Sequence, residues 1–332
     1  MVARLGAAAR QFLHLVSDGR FHSGAEIAEQ LGVSRAAVWK QVENLRDNGI
    51  EVQAVQGRGY RLPGPVELLD ADRISHELRC LGLTPPPVQV ELVSESTNSA
   101  LLAEAHSSTG RRVLVAEVQR AGRGRWGRAW QSFFGEGLYL SLLWNFPAVP
   151  AGLTGLSLAC AVSVLESLGS RVPGVGLKWP NDIISDSGKL GGILIELVGE
   201  PSGPCSAVIG LGLNLRVPPE HRQNLGQAVA DLHQFMGAEA LQRNRLAAGF
   251  IHALLQVCAS FPSTGVEPYL ERWPNYDLLM NRNVTLHLPS GVTEGIVRGV
   301  DSRGALRLET PDGVSSYFSG DVQLKLRHDL AD

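Results

Sequence analysis

Between about residues 88 and 275, apolar runs of strand length alternate with apolar stretches of helix length, and this alternation restricts the fold more than any other feature. Val113–Val118, Leu138–Leu143, Ile193–Val198 and Ala207–Leu213 are continuous enough for buried strands, whereas residues 152–169 and 242–260 are long enough for helices. The mixture predicts one α/β or α+β domain with a substantial core. What flanks it is different in character. Residues 1 to about 62 read as short helices followed by a hairpin. From about 281 onward, Val284–Leu288, Gly295–Val300, Ala305–Glu309 and Ser315–Phe318 are short strands separated by Gly, Asp and Pro, as in a small antiparallel barrel or sandwich. Pro63-Gly64-Pro65 reads as a hinge and Pro85-Pro86-Pro87 as a second stiff break. A chain of 332 residues exceeds one ordinary domain, so the expected class is multidomain α+β.

Composition narrows the function classes. With 44% hydrophobic and 19% charged residues the chain has enough apolar side chains for a core and is not of the disordered type. A net charge of −3 argues against a surface coated for nucleic acid, though not against one small DNA-reading module. Cys80, Cys160, Cys205 and Cys258 are too far apart for a zinc site or a disulfide-stapled domain, and Cys160 and Cys258 lie in apolar stretches that suit core positions. The N-terminus has no signal-peptide pattern, and no uninterrupted apolar run reaches the ~18 residues a membrane span requires. The expected location is cytoplasmic, with no membrane partner.

In the first segment, Phe12, Leu13, Leu15 and Val16 mark one amphipathic helix. Ser23 and Glu26 have capping-box spacing, and Ile27, Ala28 and Leu31 give a second helix its buried face before Gly32 ends it. Ser34 suits the N-cap of a third helix with Ala37, Val38, Val42 and Leu45 inside and Asp47-Asn48-Gly49 at its end. Gly57-Arg58-Gly59 is a plausible hairpin tip. This is the pattern of a helix-turn-helix. Ser34, Arg35, Trp39, Lys40, Gln41 and Asn44 offer side chains of the types that reach phosphates and base edges, and Arg58 and Arg61 suit a phosphate-binding wing. Eight basic against six acidic residues give residues 1–62 a local +2. A helical packing or dimerisation module would carry the same pattern.

Three central motifs carry chemistry. Following the strand Val113–Val118, Gln119 to Trp130 contains Arg120, Arg123, Arg125 and Arg128 together with Gly122, Gly124 and Gly127. Glycines let backbone N–H groups approach an anion closely, and arginine grips phosphate or carboxylate with a planar fork. A position at a strand end favours an ordered anion-binding loop over a solvated basic or RNA-binding segment. The second motif is Lys178-Trp179-Pro180-Asn181-Asp182, followed by Gly188-Lys189-Leu190-Gly191-Gly192-Ile193-Leu194-Ile195-Glu196. Lys178 suits a phosphate or carboxylate, and Asn181 and Asp182 either position a hydrated magnesium ion or simply form a turn. The glycine-lysine run lacks Walker A spacing and is not a P-loop. The third is Gly210-Leu211-Gly212-Leu213-Asn214, where Asn214 either reaches a nucleotide or ends a strand.

Taken together, Ser96-Thr97-Asn98, Gln119, the Gly122–Arg128 loop, Lys178 to Asp182 and Gly210-x-Gly-x-Asn214 resemble, in that order, the bifunctional biotin protein ligases that double as biotin operon repressors. The resemblance covers nearly the whole chain. It implies a winged helix-turn-helix over 1–63, a linker with a short helix over 64–87, a catalytic domain of the biotin/lipoyl ligase type over 88–278 and an SH3-like barrel over 279–332. Trp126 departs from the family, whose members often carry a basic residue there, and residues 216–240 yield no assignable adenine contacts.

The activity implied is formation of biotinyl-5'-AMP from biotin and ATP with Mg2+, then transfer of biotin to a lysine of a biotin carboxyl carrier protein, the acetyl-CoA carboxylase subunit. The tightly held adenylate would also act as corepressor, promoting a homodimer that binds operator DNA. By resemblance, Lys178, Arg125 and Arg128 are catalytic, and Ser96, Thr97, Asn98, Gln119, Arg123, Gly124, Arg125 and Lys178 bind biotin. Gly122, Arg123, Trp130, Asn181 and Asn214 meet the nucleotide, Asp182 meets the metal, and Ser34, Arg35, Lys40, Gln41, Asn44 and Arg58 meet DNA. A non-catalytic ligand-sensing repressor and a lipoyl- or octanoyl-transfer enzyme are the competing readings.

Overall fold

Ser23 and Ser34 start two successive helices by the same device. Each side chain accepts a backbone N–H three residues on, Glu26 at 3.1 Å and Ala37 at 3.2 Å. In the computed structural model, which describes residues 5–105, 110–147, 153–169, 172–199, 204–222, 225–237 and 242–324, these are α2 (Gly24–Leu31) and α3 (Arg35–Asp47), preceded by α1 (Ala7–Val16). Gly32 adopts φ 63 between them, the left-handed turn that lets α3 leave at an angle. The wing is β1 (Gln53–Val55) and β2 (Gly59–Arg61), so Gly59 begins a strand instead of forming the tip. It sits at φ 105 against the carbonyl of His22, where a Cβ would stand 1.9 Å away.

The segment expected as a hinge is packed. Val66 N–H donates to Ser17 O at 2.8 Å, and Arg10 donates to the carbonyls of Leu69 and Val90. Leu68, Leu92 and Val118 complete the same buried cluster as Phe12, Leu13, Val42 and Leu45. Apolar burial therefore joins the helix-turn-helix to the next unit where flexibility was expected.

That unit begins with α4 (Ala71–Cys80), capped by Asp70, and contains α5 (Thr97–Ala105), α6 (Leu153–Ser167) and α7 (Arg243–Thr264). Its strands are β3 (Val88–Ser94), β4 (Arg112–Gln119), β5 (Gly137–Phe146), β6 (Val175–Lys178), β7 (Asp182–Ser185), β8 (Gly188–Gly199) and β9 (Cys205–Asn214). They form one sheet ordered β3-β4-β5-β9-β8-β7-β6, parallel at β3/β4 and antiparallel elsewhere. Alternate residues of the buried strands face opposite sides. Leu114, Leu143 and Val208 pack under α5, while Val113, Val115 and Leu142 belong to the larger core with α6 and α7. Among the described residues, α7 alone is long and apolar enough to cross a membrane, but Phe250, Ile251, Leu254, Cys258 and Phe261 bury it as a core helix. Cys160, Cys205 and Cys258 are buried, and burial pushes the Cys160 thiol up.

Five strands, β10 (Asn283–Leu288), β11 (Gly291–Val300), β12 (Leu306–Thr310), β13 (Gly313–Tyr317) and β14 (Asp321–Leu324), make an antiparallel sheet ordered β13-β12-β11-β10-β14. The sequence indicated four of them. Strand β14 escaped notice because it is short and buries only Val322. This sheet shares its core with the central unit, and Trp179 Nε1 donates to Gly304 O at 2.9 Å across the junction. Position 152, part of the stretch 216–240 and residues 325–332 lie outside the described residues.

Candidate active site

A cavity of about 820 Å³ opens where the ends of the central strands, the Gly/Arg loop and β14 meet. On the β3/β4 side its lining is neutral. Ser96, Thr97 and Asn98 are buried at the start of α5. Gln119, the last residue of β4, accepts from Thr97 N–H at 2.8 Å, and Ser132 Oγ accepts from Gln119 N–H at 2.8 Å. Beneath them Ser141 Oγ donates to Asn98 Oδ1 at 2.6 Å and lies 2.7 Å from Thr97 Oγ1. Asn98 Nδ2 in turn donates to Glu196 at 2.9 Å, and Glu196 pairs with Arg123 at 3.1 Å. Asn98 thus spends its polar atoms inside the protein, fixing its neighbours. Two glycines make room for this arrangement. A Cβ on Gly210 would stand 2.1 Å from Asn98 Oδ1, and one on Gly212 would stand 2.6 Å from the Trp130 ring.

The opposite side is cationic. The loop closes on itself through a two-residue ladder, Gly122 and Arg123 against Trp130 and Ala129, with Gly124 N–H donating to Arg128 O at 2.7 Å. Trp126 (φ 56) and Gly127 (φ 72) turn its tip, which leaves the Trp126 ring exposed. Arg125 reaches Asn181 Oδ1 and Gly320 O, both at 3.4 Å, and Arg128 pairs with Asp321 at 2.6 Å. Burial lowers the pKa of Arg125 against the raising influence of Asp182 and Asp321, whereas its hydrogen bond to Asp321 raises that of Arg128. Both guanidiniums remain charged at neutral pH.

Lys178 and Asp182 are register partners at the two ends of a hairpin whose turn is Trp179-Pro180-Asn181. Lys178 Nζ lies 2.9 Å from Asp182 Oδ2 and donates to Val322 O at 3.2 Å. Asp182 Oδ1 pairs with a second ammonium, Lys189 Nζ, at 2.7 Å. Burial pushes the Asp182 carboxyl up, but Lys189 and Lys178 outweigh it and hold the group below the usual carboxylate range. Asp182, expected as the metal ligand, thus stands between two ammonium groups in this structure. Both oxygens are engaged by cations, and no cluster of three His, Cys, Asp or Glu side chains suited to a metal occurs among the described residues.

Of the nucleotide set, Arg123, Trp130 and Asn181 line the cavity, while Gly122 and Asn214 do not. Gly122 is buried against Trp130 O, and Asn214 donates to the carbonyls of Lys189 and Ala230, tying down residues 225–228, which do line it. Lys189, Ser141, Glu196 and Asp321 were missed as site residues. Lys189 and Glu196 stood within a motif already noted, whereas Ser141 and Asp321 did not. Outside the cavity lining, Arg35, Lys40, Asn44, Arg58 and Trp39 are exposed. Ser34 serves as a cap, Gln41 is partly buried, and Arg58 and Arg61 lie 4.2 and 4.6 Å from the centre of the Phe21 ring. Arg120, directly after Gln119, donates to Asn48 Oδ1 at 2.8 Å at the end of α3.

Known proteins agree with this arrangement. Residues 9–61 match an HTH domain, 90–214 the biotin/lipoate A/B protein ligase family and 279–325 the biotin protein ligase C-terminal domain. The bifunctional ligase/repressor BirA of Salmonella typhimurium is 39% identical over 94% of this chain and 96% of its own, and that of Bacillus subtilis 32% identical over 93% and 95%. A structure of the biotin protein ligase from Aquifex aeolicus, in complex with biotin and ATP, superposes with a TM-score of 0.61 at 27% identity, covering 72% of this chain and 98% of that one. With relatives matched over nearly their whole length, the chain belongs to the bifunctional ligase/repressor family of biotin protein ligases.

Proposed function

We propose that this protein activates biotin with ATP and transfers it to a lysine of a biotin carboxyl carrier protein, and that the adenylate it holds makes it a repressor. The observation that carries the reading is the cavity's division into a neutral, buried hydrogen-bonding side and a cationic one. The neutral ureido head of biotin suits Ser96, Thr97 and Gln119, oriented from behind by Asn98 and Ser141. Its carboxylate then extends toward Lys178, Arg125 and Arg128.

In the first step a carboxylate oxygen attacks the α-phosphorus, the bond to pyrophosphate breaks, and biotinyl-5'-AMP forms. Two anions must approach and charge grows on the phosphoryl oxygens, so fixed cations lower the barrier without a protein nucleophile. The acceptor amine next attacks the mixed anhydride carbonyl, loses a proton, and AMP leaves. The loop, anchored to β14 through Arg128–Asp321, limits access of water to the anhydride. Magnesium accompanying ATP would neutralise part of the phosphate charge, and Asp182 is the cavity carboxylate that would meet it.

Incubation with ATP, magnesium, biotin and a carrier domain, followed by intact mass, tests the ligase. One biotin-sized gain on the acceptor supports it, and no gain on an acceptor another ligase can label favours the sensor or the lipoyl-type reading. For the repressor, operator DNA is expected to bind more tightly when biotin and ATP are both present, through the exposed face of α3 and the wing of a ligand-promoted dimer. The cytoplasm, where ATP and carboxylase meet, is the proposed location.

One substitution probes the neutral side. Gly210→Ala should force Asn98 and the start of α5 to shift, an overpacking that costs about 1–3 kcal/mol. If that cost falls on the site, biotin affinity drops roughly ten- to a hundredfold. Calorimetric titration with biotin alone checks this, and unchanged affinity would show that Asn98 does not set the site's shape.

A further inference from the structure

We infer that Trp39 reads thymine for the repressor, its indole packing against the C5-methyl group of one thymine in the major groove of the operator. The inference rests on the repressor reading and deepens it, naming a base and the side chain that meets it.

The packing of α3 decides which way Trp39 points. Ser34 fixes the start of the helix, and Val38, Val42 and Leu45 are buried in the cluster that also holds Phe12 and Leu92. Trp39 follows Val38 by about 100° around the helix axis, so the indole stays outside while that stripe stays inside. With 58% of its surface exposed, it is the most exposed of the six tryptophans. Helical side chains lean toward the N-terminus, which carries the ring over Arg35 and Ala36 on the preceding turn. Ala36 and Ala37 are exposed and small, so that turn leaves room for a close approach. The first turns of a recognition helix are the part that enters the groove.

Charge decides what covers the ring. On α3, Glu43 is neutralised by Arg46 at 2.8 Å, whereas Arg35 and Lys40 are exposed without an ion-pair partner among the described residues. Arg58 of the wing is exposed as well. An apolar ring between free cations suits a polyanion that offers an apolar spot. In the major groove every base edge presents polar donors and acceptors, and thymine alone adds a methyl group. An indole laid over polar edges would strip their water and return one N–H; over the methyl it makes an apolar contact without that cost. Arg35 and Lys40 then hold phosphates, which set position but carry no sequence information.

The test uses the full chain loaded with biotin and ATP. Selection from random duplexes supplies its binding site, and each thymine of that site is replaced in turn by deoxyuridine, which removes only the methyl group. The wild type should lose about three- to fivefold at one thymine per half-site, the worth of one buried methyl. Trp39→Ala should bind the thymine site about tenfold more weakly and no longer distinguish it from the uracil one. Its salt dependence should match the wild type, because the lost contact carries no charge. Carrier labelling by the variant, within about twofold of the wild type, is the folding control for an exposed position. Equal discrimination by wild type and Trp39→Ala, a loss spread over every thymine, or a reduced salt slope would overturn the assignment. So would a weaker dimerisation constant of the DNA-free variant in sedimentation, which would make Trp39 a contact between protomers. If the wild type selects no sequence, the repressor reading fails and takes this one with it. A selected site that Trp39→Ala reads unchanged overturns the role of Trp39 alone.

Discussion

Glu117→Ala is expected to destabilise the protein by about 3–5 kcal/mol, the cost of removing one partner from a buried ion pair. Glu117 is fully buried on β4 and accepts from Arg243 Nη1 at 2.7 Å and from the Leu69 N–H at 2.6 Å. Arg243, at the start of α7, also donates to Glu67 O and Gly137 O. The pair therefore ties the segment after the helix-turn-helix, two strands and the longest helix into one knot. Alanine would strand a guanidinium in the core and orphan a backbone donor. Because Gln119 lies two residues along the same strand, biotin binding should weaken with stability. Urea unfolding of the full chain measures the effect. A double variant, Glu117→Met with Arg243→Met, should recover much of the loss, because apolar groups leave no uncompensated charge. A midpoint for Glu117→Ala equal to the wild type would show that water reaches the pair.

How much of this was legible in the sequence depends on whether the signal is local. Ser23, Gly32 and Ser34 disclose the helix-turn-helix because caps act over three residues, and Val113–Val118 discloses β4 because burial on both faces demands a continuous apolar run. The Glu117–Arg243 bond joins residues 126 positions apart, and no local pattern announces it. The surroundings of Asp182 were hidden for a related reason. The Asn-Asp pair does not announce that the hairpin sets Lys178 opposite and the bulge of β8 brings Lys189 across. The hairpin strands are four residues each, too short to show a period. Likewise Asp321 joined the site only because β14 pairs with the edge of β10. The packing around Pro63-Gly64-Pro65 was not legible from composition. Proline and glycine allow a free linker, but here they allow the close approach at Gly19, where a Cβ would meet Pro65 N at 2.7 Å.

Lys178→Met should reduce the rate of adenylate formation about 10²- to 10³-fold, as removal of one preorganised transition-state donor does elsewhere. That corresponds to roughly 3–4 kcal/mol of barrier. The lysine is held by Asp182 on one side and the Val322 carbonyl on the other, so its ammonium needs little reorganisation when charge develops. Biotin affinity should fall far less than the rate, because the neutral groups that suit the ureido head sit on β4 and the start of α5 and Arg125 and Arg128 still face the carboxylate. The two half-reactions separate the roles further. Charge builds on the phosphoryl oxygens only while biotin displaces pyrophosphate, so Lys178→Met should slow activation more than transfer from chemically prepared biotinyl-5'-AMP. Single-turnover measurements of each half-reaction on the same variant supply the comparison. A pure affinity loss for ATP, with the activation rate at saturation unchanged, would instead make Lys178 a ground-state binding residue. Equal slowing of both halves would mean that Lys178 chiefly orients the biotinyl carbonyl, a group present in both steps.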